Sequence, residues 1–173
     1  RAVDVRIDGF RVERAPEWRG QRVFVTHEVG GKAYELRLSE ESAGTQKLMG
    51  LAAYLMTALE RGGTVVVDEL DAKLHPKLLR YVILLFKDPG VNKSGAQLIF
   101  SSQDVSTMRN DVFRRDEIWF AARGEGEASQ LWSLADIHEA NGNLVSKNAA
   151  FDKQYLSGRY GADPYLTRIE EWD

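Results

Sequence analysis

The sequence predicts an α/β fold built on a parallel sheet, flanked by antiparallel β-hairpins and followed by an irregular C-terminal tail. Three observations predict it. Thr64-Val65-Val66-Val67 reads as a short strand buried on both faces, the pattern of a parallel sheet, and "AQLIFSS" reads as another buried strand. Each is associated with a segment of helical spacing, and strand, helix, strand, helix in this order gives a right-handed parallel unit. Outside that unit, the chain reads as strands around turn residues.

The elements follow in order. From Val3 to Leu38 the pattern is strand-like, and "VFVTHEVGGKAYELRL" reads as two strands around the turn Gly30-Gly31. Six arginines and four acids are mixed through Arg1 to Arg22, as on a solvated sheet face. From Gly44 to Arg61 the period becomes helical: Leu48, Leu51, Ala52, Leu55 and Leu59 form one stripe. Gly62-Gly63 ends that helix. Pro76 suits a first helical position, "KLLRYVILLFKD" is a second helix, and Asp88-Pro89-Gly90 breaks it. Asp104 is placed to cap a short helix through Met108. "DEIWFAA" and "SQLWSL" flank "RGEGEA" as a hairpin with Trp119 and Trp132 on its strands. The tail from Asn141 is polar and irregular, with an aromatic cluster of Phe151, Tyr155, Tyr160 and Tyr165.

The bulk properties exclude several classes. The 173 residues suffice for one domain with a sizeable core, and 43% hydrophobic with 28% charged residues is ordinary for a globular protein. A net charge of −3 gives no global pull toward nucleic acid or membrane. The absence of cysteine excludes disulfides and thiolate metal sites, and fits the expectation of a cytoplasmic protein. No apolar run approaches the ~20 residues of a membrane span. No signal peptide is visible, and the start at Arg1 rather than methionine suggests a fragment or processed product. The histidines His27, His75 and His138 lie in unlike contexts and suggest no zinc site; His75 before Pro76 reads as structural.

Function enters at "VVVDELDAKLHP". In an open parallel sheet, ligands bind beyond the carboxyl ends of the strands, where Asp68 and Glu69 stand. Two adjacent carboxylates beside an apolar strand need cations or hydrogen bonds in compensation. A magnesium–phosphate complex meets that need, with Asp68 as the Mg²⁺ acid and Glu69 as general base. The bland alternative is an acidic loop after a strand. In "LSEESAGTQKL", Ser42, Ala43 and Gly44 stand where the long helix begins, and a helix N-terminus favours an anion such as phosphate. The bland alternative there is plain capping by Ser42. After the second strand, "LIFSSQD" places Gln103 within reach of the same site, able to donate an amide hydrogen bond to a phosphate or to an attacking water. No G-x-x-x-x-G-K-[ST] loop is present: Gly31-Lys32 is followed by Ala33 with Thr26 at the first-glycine position, and Lys93-Ser94 follows Asn92 with Lys87 there.

Taken as a set, Leu38 to Asp104 resembles the C-terminal half of an ABC-type ATPase head, the P-loop NTPase heads of SMC, Rad50 and RecF proteins. It looks most like RloA-like bacterial ATPases of anti-phage defence. "SEESAGTQKL" resembles the signature motif, "VVVDEL" the Walker B motif with its catalytic glutamate, "LDAKLHP" the D-loop and "LIFSSQD" the switch strand. "DPGVNKSGAQLIF", "RRDEIWF" and "YLSGRYGADPYL" extend the resemblance to roughly residues 34 to 166. The resemblance implies a division into a β-rich segment (1–38), half of an ATPase core (39–138) and a C-terminal extension (139–173). It implies ATP and Mg²⁺ as cofactors. Ser42 and Gly44, with Ala43 between them, would meet the γ-phosphate held by an opposite subunit. Asp68 would serve Mg²⁺, Glu69 the water, and Asp71 a contact across the dimer. Gln103 stands where the family usually has histidine: it keeps a donor but carries no positive charge. The family expects a Walker A lysine upstream, and ABC heads dimerise head to tail around two nucleotides. A homodimer or a Walker A-bearing partner segment, and an effector protein, are therefore implied as partners. Nothing in the sequence indicates nucleic acid or a membrane.

Two other classes compete. Asp68, Glu69 and Asp71 could form a two-metal nuclease cluster, although neighbouring strand residues point in opposite directions. Gln103 suits a non-catalytic module that dimerises on ATP with negligible turnover.

Overall fold

The computed structural model describes residues 6–14, 21–123, 128–139 and 142–162. The chain opens with a three-stranded antiparallel sheet: β1 (Arg6–Arg14), β2 (Gln21–Val29) and β3 (Lys32–Arg37), in the order β1-β2-β3. The β2–β3 turn is made by Gly30 and Gly31 at φ 59° and 77°, left-handed values that suit a two-residue hairpin loop. Val25 in β2 is fully buried, whereas every residue of β3 is exposed.

A short 3₁₀ turn (Leu38–Glu40) leads into helix α1 (Ala43–Arg61). Its expected stripe is real: Leu55 is buried, and Leu48 and Leu51 pack against the same core. The chain then enters β4 (Thr64–Val67), returns through α2 (Pro76–Lys87) and forms β5 (Gln97–Phe100). Pro76 opens α2, and His75 caps it by accepting the Lys77 N–H through Nδ1 at 3.2 Å. β4 and β5 pair in parallel, from Thr64↔Gln97 to Val67↔Phe100. The core between sheet and helices holds Leu55, Val67, Leu70, Leu79, Val82 and Ile83.

The structure departs from the expected two-sided burial of the strands. β4 and β5 are buried on one face only: Val66 is 74% exposed and Ile99 55%. The physical reason is that this sheet has two strands among the described residues, and its core side alone, through Val65, Val67, Leu98 and Phe100, meets α1 and α2. The apolar run reported the composition of a two-sided strand while a single side is covered.

Asp104 caps a 3₁₀ turn (Val105–Thr107) by accepting the Ser106 N–H at 2.7 Å. A second sheet follows, β6 (Trp119–Arg123) against β7 (Ser129–Ser133), antiparallel. The tail is more ordered than its composition suggests. It contains helix α3 (Phe151–Leu156), and Val145, Phe151 and Tyr160 join Ile118, Phe120 and Leu134 in a second core. Phe120 is its centre: it stacks on Tyr155 at 5.7 Å between ring centroids, and meets Tyr160 at 5.3 Å and Trp132 at 6.1 Å. Aromatic area dominates such a core and offsets the polarity of the surrounding residues. Burial pushes the Tyr160 hydroxyl up to about 12. Tyr165, the fourth aromatic of the tail, lies outside the described residues.

Candidate functional site

β4 delivers its last residue, Val67, into the core and its next two, Asp68 and Glu69, into solvent at the carboxyl end of the sheet. The backbone turns sharply there. Glu69 has φ 48° and Lys73 has φ 65°, left-handed values that non-glycine residues adopt at a cost of order 1–3 kcal/mol when the surroundings enforce them.

Ser101, the residue after β5, enforces the turn. Because Val67 pairs with Phe100, the next residues of the two strands, Asp68 and Ser101, fall opposite each other. The Ser101 hydroxyl donates to Asp68 Oδ1 at 2.5 Å and accepts the Glu69 N–H at 2.7 Å. Its backbone continues the clamp: Ser101 N–H donates to the Val67 carbonyl at 3.1 Å, and its own carbonyl accepts the Leu70 N–H at 3.0 Å. One serine thus fixes both ends of the acid pair. In the sequence it is one serine of a polar strand end. The signal that finds it is the strand register, which a single sequence does not print.

Asp71 lies half-buried on the same side. Its Oδ2 accepts the Gln103 backbone N–H at 3.3 Å. Its Oδ1 is buried and meets no donor among the described residues. A buried carboxylate oxygen without a donor is costly, so this atom favours a donor or cation brought from elsewhere. Gln103 itself is exposed.

Ser42, Ala43 and Gly44 form the start of α1. Ser42 accepts the Thr45 N–H at 3.1 Å and so caps the helix. Gly44 is packed so closely on the loop after β4 that an added Cβ would stand 2.7 Å from the Lys73 carbonyl oxygen. Lys47, one turn into α1, donates from Nζ to the Glu69 carbonyl at 2.5 Å. The start of α1 and the loop after β4 therefore touch at two points, with Lys47 a second residue that the sequence did not single out.

The arrangement brings Asp68, Glu69, Asp71, Ser101 and Gln103 together at the strand ends. It does not gather the three acids around one point, since Asp68 engages Ser101 while Asp71 engages the Gln103 backbone. Among the described residues no group of three or more His, Asp or Glu side chains has metal-holding geometry. Carboxylate and hydroxyl oxygens such as those of Asp68 and Ser101 are hard donors of the type Mg²⁺ prefers. Among the described residues no helix is long and apolar enough to cross a membrane.

No curated protein matches the chain. One similar solved structure comes from "Structural biochemistry of ATP-driven dimerization and DNA stimulated activation of SMC ATPases", at 17% identity over 72% of this chain and 71% of that one, with a TM-score of 0.48. The family described as "AAA domain, putative AbiEii toxin, Type IV TA system" matches residues 3–109, well over half of the 173 residues and the whole of the stretch that holds Ser42, Asp68, Glu69 and Gln103. The chain belongs to this family of AAA-type, nucleotide-binding P-loop ATPases.

Proposed function

We propose that this chain is the C-terminal part of an ABC-type ATPase head that binds and hydrolyses ATP as it dimerises around the nucleotide. The observation that carries the reading is the adjacent Asp68–Glu69 pair at the carboxyl end of β4, held in an uncommon backbone turn by Ser101. Asp68 is the residue to hold Mg²⁺, which when bound neutralises charge on the phosphate oxygens. Glu69 accepts the proton of the attacking water, and Gln103 orients that water or the phosphate. Ser42, Ala43 and Gly44 complete the nucleotide site of a second head, and the donor-less Oδ1 of Asp71 meets a group across the same interface. The Walker A loop comes from an upstream or partner segment. The outer edge of β5 suits such a segment, because the N–H groups of Leu98 and Phe100 face away from β4 and a further parallel strand would end beside Ser101. Residues 1–38, 39–138 and 139–173 are the β-rich, core and C-terminal parts of that head. The ATPase regulates an effector protein in bacterial anti-phage defence in this reading, and it works in the cytoplasm. The family's own description, which names a toxin of a toxin–antitoxin system, is compatible with effector control.

The test supplies the Walker A segment and compares the native protein with Glu69→Gln. Loss of phosphate release with retained ATP-dependent association supports the reading. Equal hydrolysis by both removes Glu69 as the base. Gln103 favours a second reading, a nucleotide-sensing dimerisation module with negligible turnover. Association with ATP in the absence of phosphate release by the native protein would select it.

A further inference from the structure

We propose that His27 is a positioning residue for the Ser42–Gly44 turn, holding it from the antiparallel sheet through Glu41. This rests on the reading of that turn as a nucleotide-facing element. His27 lies on β2, the central strand of its sheet, and its Nε2 contacts Glu41 Oε1. The two side chains are 13% and 8% exposed. A carboxylate only accepts, so Nε2 carries the hydrogen. A carboxylate withdrawn this far from water needs its partner, and removing that partner leaves an uncompensated buried group.

Glu41 is also held from the other side. Its carbonyl accepts the Gln46 side-chain amide at 2.8 Å, and its N–H donates to the Leu38 carbonyl at 3.2 Å. The next residue, Ser42, is the cap of α1, and its carbonyl accepts the Gln46 N–H at 3.0 Å. Glu41 is thus fixed by its side chain to the sheet and by its backbone to the helix, directly before the turn. β2 packs against the Leu38–Glu40 turn as well, a second tie between the sheet and the start of α1. Movement of the sheet would be delivered first to Ser42–Gly44, whereas Asp68 and Glu69 have a second anchor in Ser101 that holds them against the pull of Lys47. His27 therefore acts on what this head presents to a second head, and not on how it holds its own nucleotide.

The experiment uses the protein together with its Walker A segment and compares native, His27→Ala and His27→Gln; the glutamine amide reaches the place of Nε2. Three quantities are read: amide exchange at Thr45 and Gln46 without nucleotide, affinity for a fluorescent ATP analogue, and ATP-dependent dimerisation by analytical ultracentrifugation. His27→Ala is expected to speed exchange at Thr45 and Gln46 at least tenfold and to weaken dimerisation about tenfold. Its nucleotide affinity stays within twofold of native, and His27→Gln restores most of both losses. Unchanged exchange in His27→Ala overturns the proposal, as does a parallel loss of nucleotide affinity or a failure of His27→Gln to rescue. The exchange readout needs no nucleotide, so a native protein that never dimerises with ATP would refute the functional reading separately. If His27→Ala does not fold, His27→Asn, which keeps polarity but not the reach to Glu41, carries the same comparison.

Discussion

The Ser101 hydroxyl donates to Asp68 Oδ1 at 2.5 Å, and through this bond two parallel strands hold a single carboxylate at their common end. The same oxygen accepts the Glu69 N–H, so the orientation of one acid and the backbone of the next depend on one atom.

Ser101→Ala removes that atom. A hydrogen bond to a charged group contributes about 1.5 kcal/mol or more, less where water can replace it, as at this exposed site. The expected result is roughly a tenfold rise in the Mg²⁺ concentration needed for half-maximal ATPase activity, with Ser101→Thr close to native. A magnesium titration of phosphate release measures it, and an unchanged midpoint in Ser101→Ala would sink the idea.

Glu69→Gln keeps shape and removes basicity. General-base catalysis contributes typically 10²–10⁴-fold, so phosphate release should fall by at least about a hundredfold. ATP-dependent association should persist, because the amide still fits the site. Single-turnover hydrolysis beside light scattering separates the two effects.

The two glycines of α1 make a contrast. A Cβ at Gly44 would stand 2.7 Å from the Lys73 carbonyl oxygen, whereas one at Gly50 meets nothing within 4 Å. Gly44→Ala must displace backbone and should destabilise by about 1–3 kcal/mol. Gly50→Ala should stabilise by up to about 1 kcal/mol through helix propensity. Thermal melts should therefore move in opposite directions, and a shared direction would contradict the close packing of α1 on the acid turn.

Tyr160 gives a pH dependence with a definite sign. An unfolded tyrosine ionises near 10, and in the fold the hydroxyl ionises only at about 12. Below pH 10 both states keep the proton and this group adds no slope. Between roughly 10 and 12 the unfolded chain releases it first, so stability falls as pH rises. Tyr160→Phe should flatten this fall in denaturant melts across pH 9 to 12, although it also loses the bond to Gln154 Oε1 at 2.7 Å.

Periodicity and punctuation made much of this legible. The stripe of α1, the Gly30-Gly31 turn, Pro76 at the start of α2 and Asp104 as a cap are local features, and local physics places them. The acids after β4 were legible for the same reason, since a strand end is a place in the sequence. Ser101 was not, because its role depends on register with a strand 33 residues away. His27 and Glu41 were not, because a hydrogen bond across 14 residues leaves no pattern in composition. The burial of β4 was misjudged for a related reason: Val66 looks like core in sequence, and its exposure depends on whether another element packs on the second face of the sheet. The tail was legible in part: Phe151, Tyr155 and Tyr160 of its aromatic cluster meet in the core around Phe120, whereas its polar composition hid helix α3.

Val66 and Ile99 have a further consequence for handling the protein. Two short, apolar strands whose outer edges are unpaired among the described residues form a template onto which an extended chain can hydrogen-bond. Without a natural cover, this stretch should self-associate through strand addition and yield soluble oligomers or precipitate at high concentration. A lysine at position 66 would act as a gatekeeper, raising solubility without touching the buried side of the sheet. The same exposed valine that betrays an uncovered sheet is thus the place to engineer a well-behaved sample.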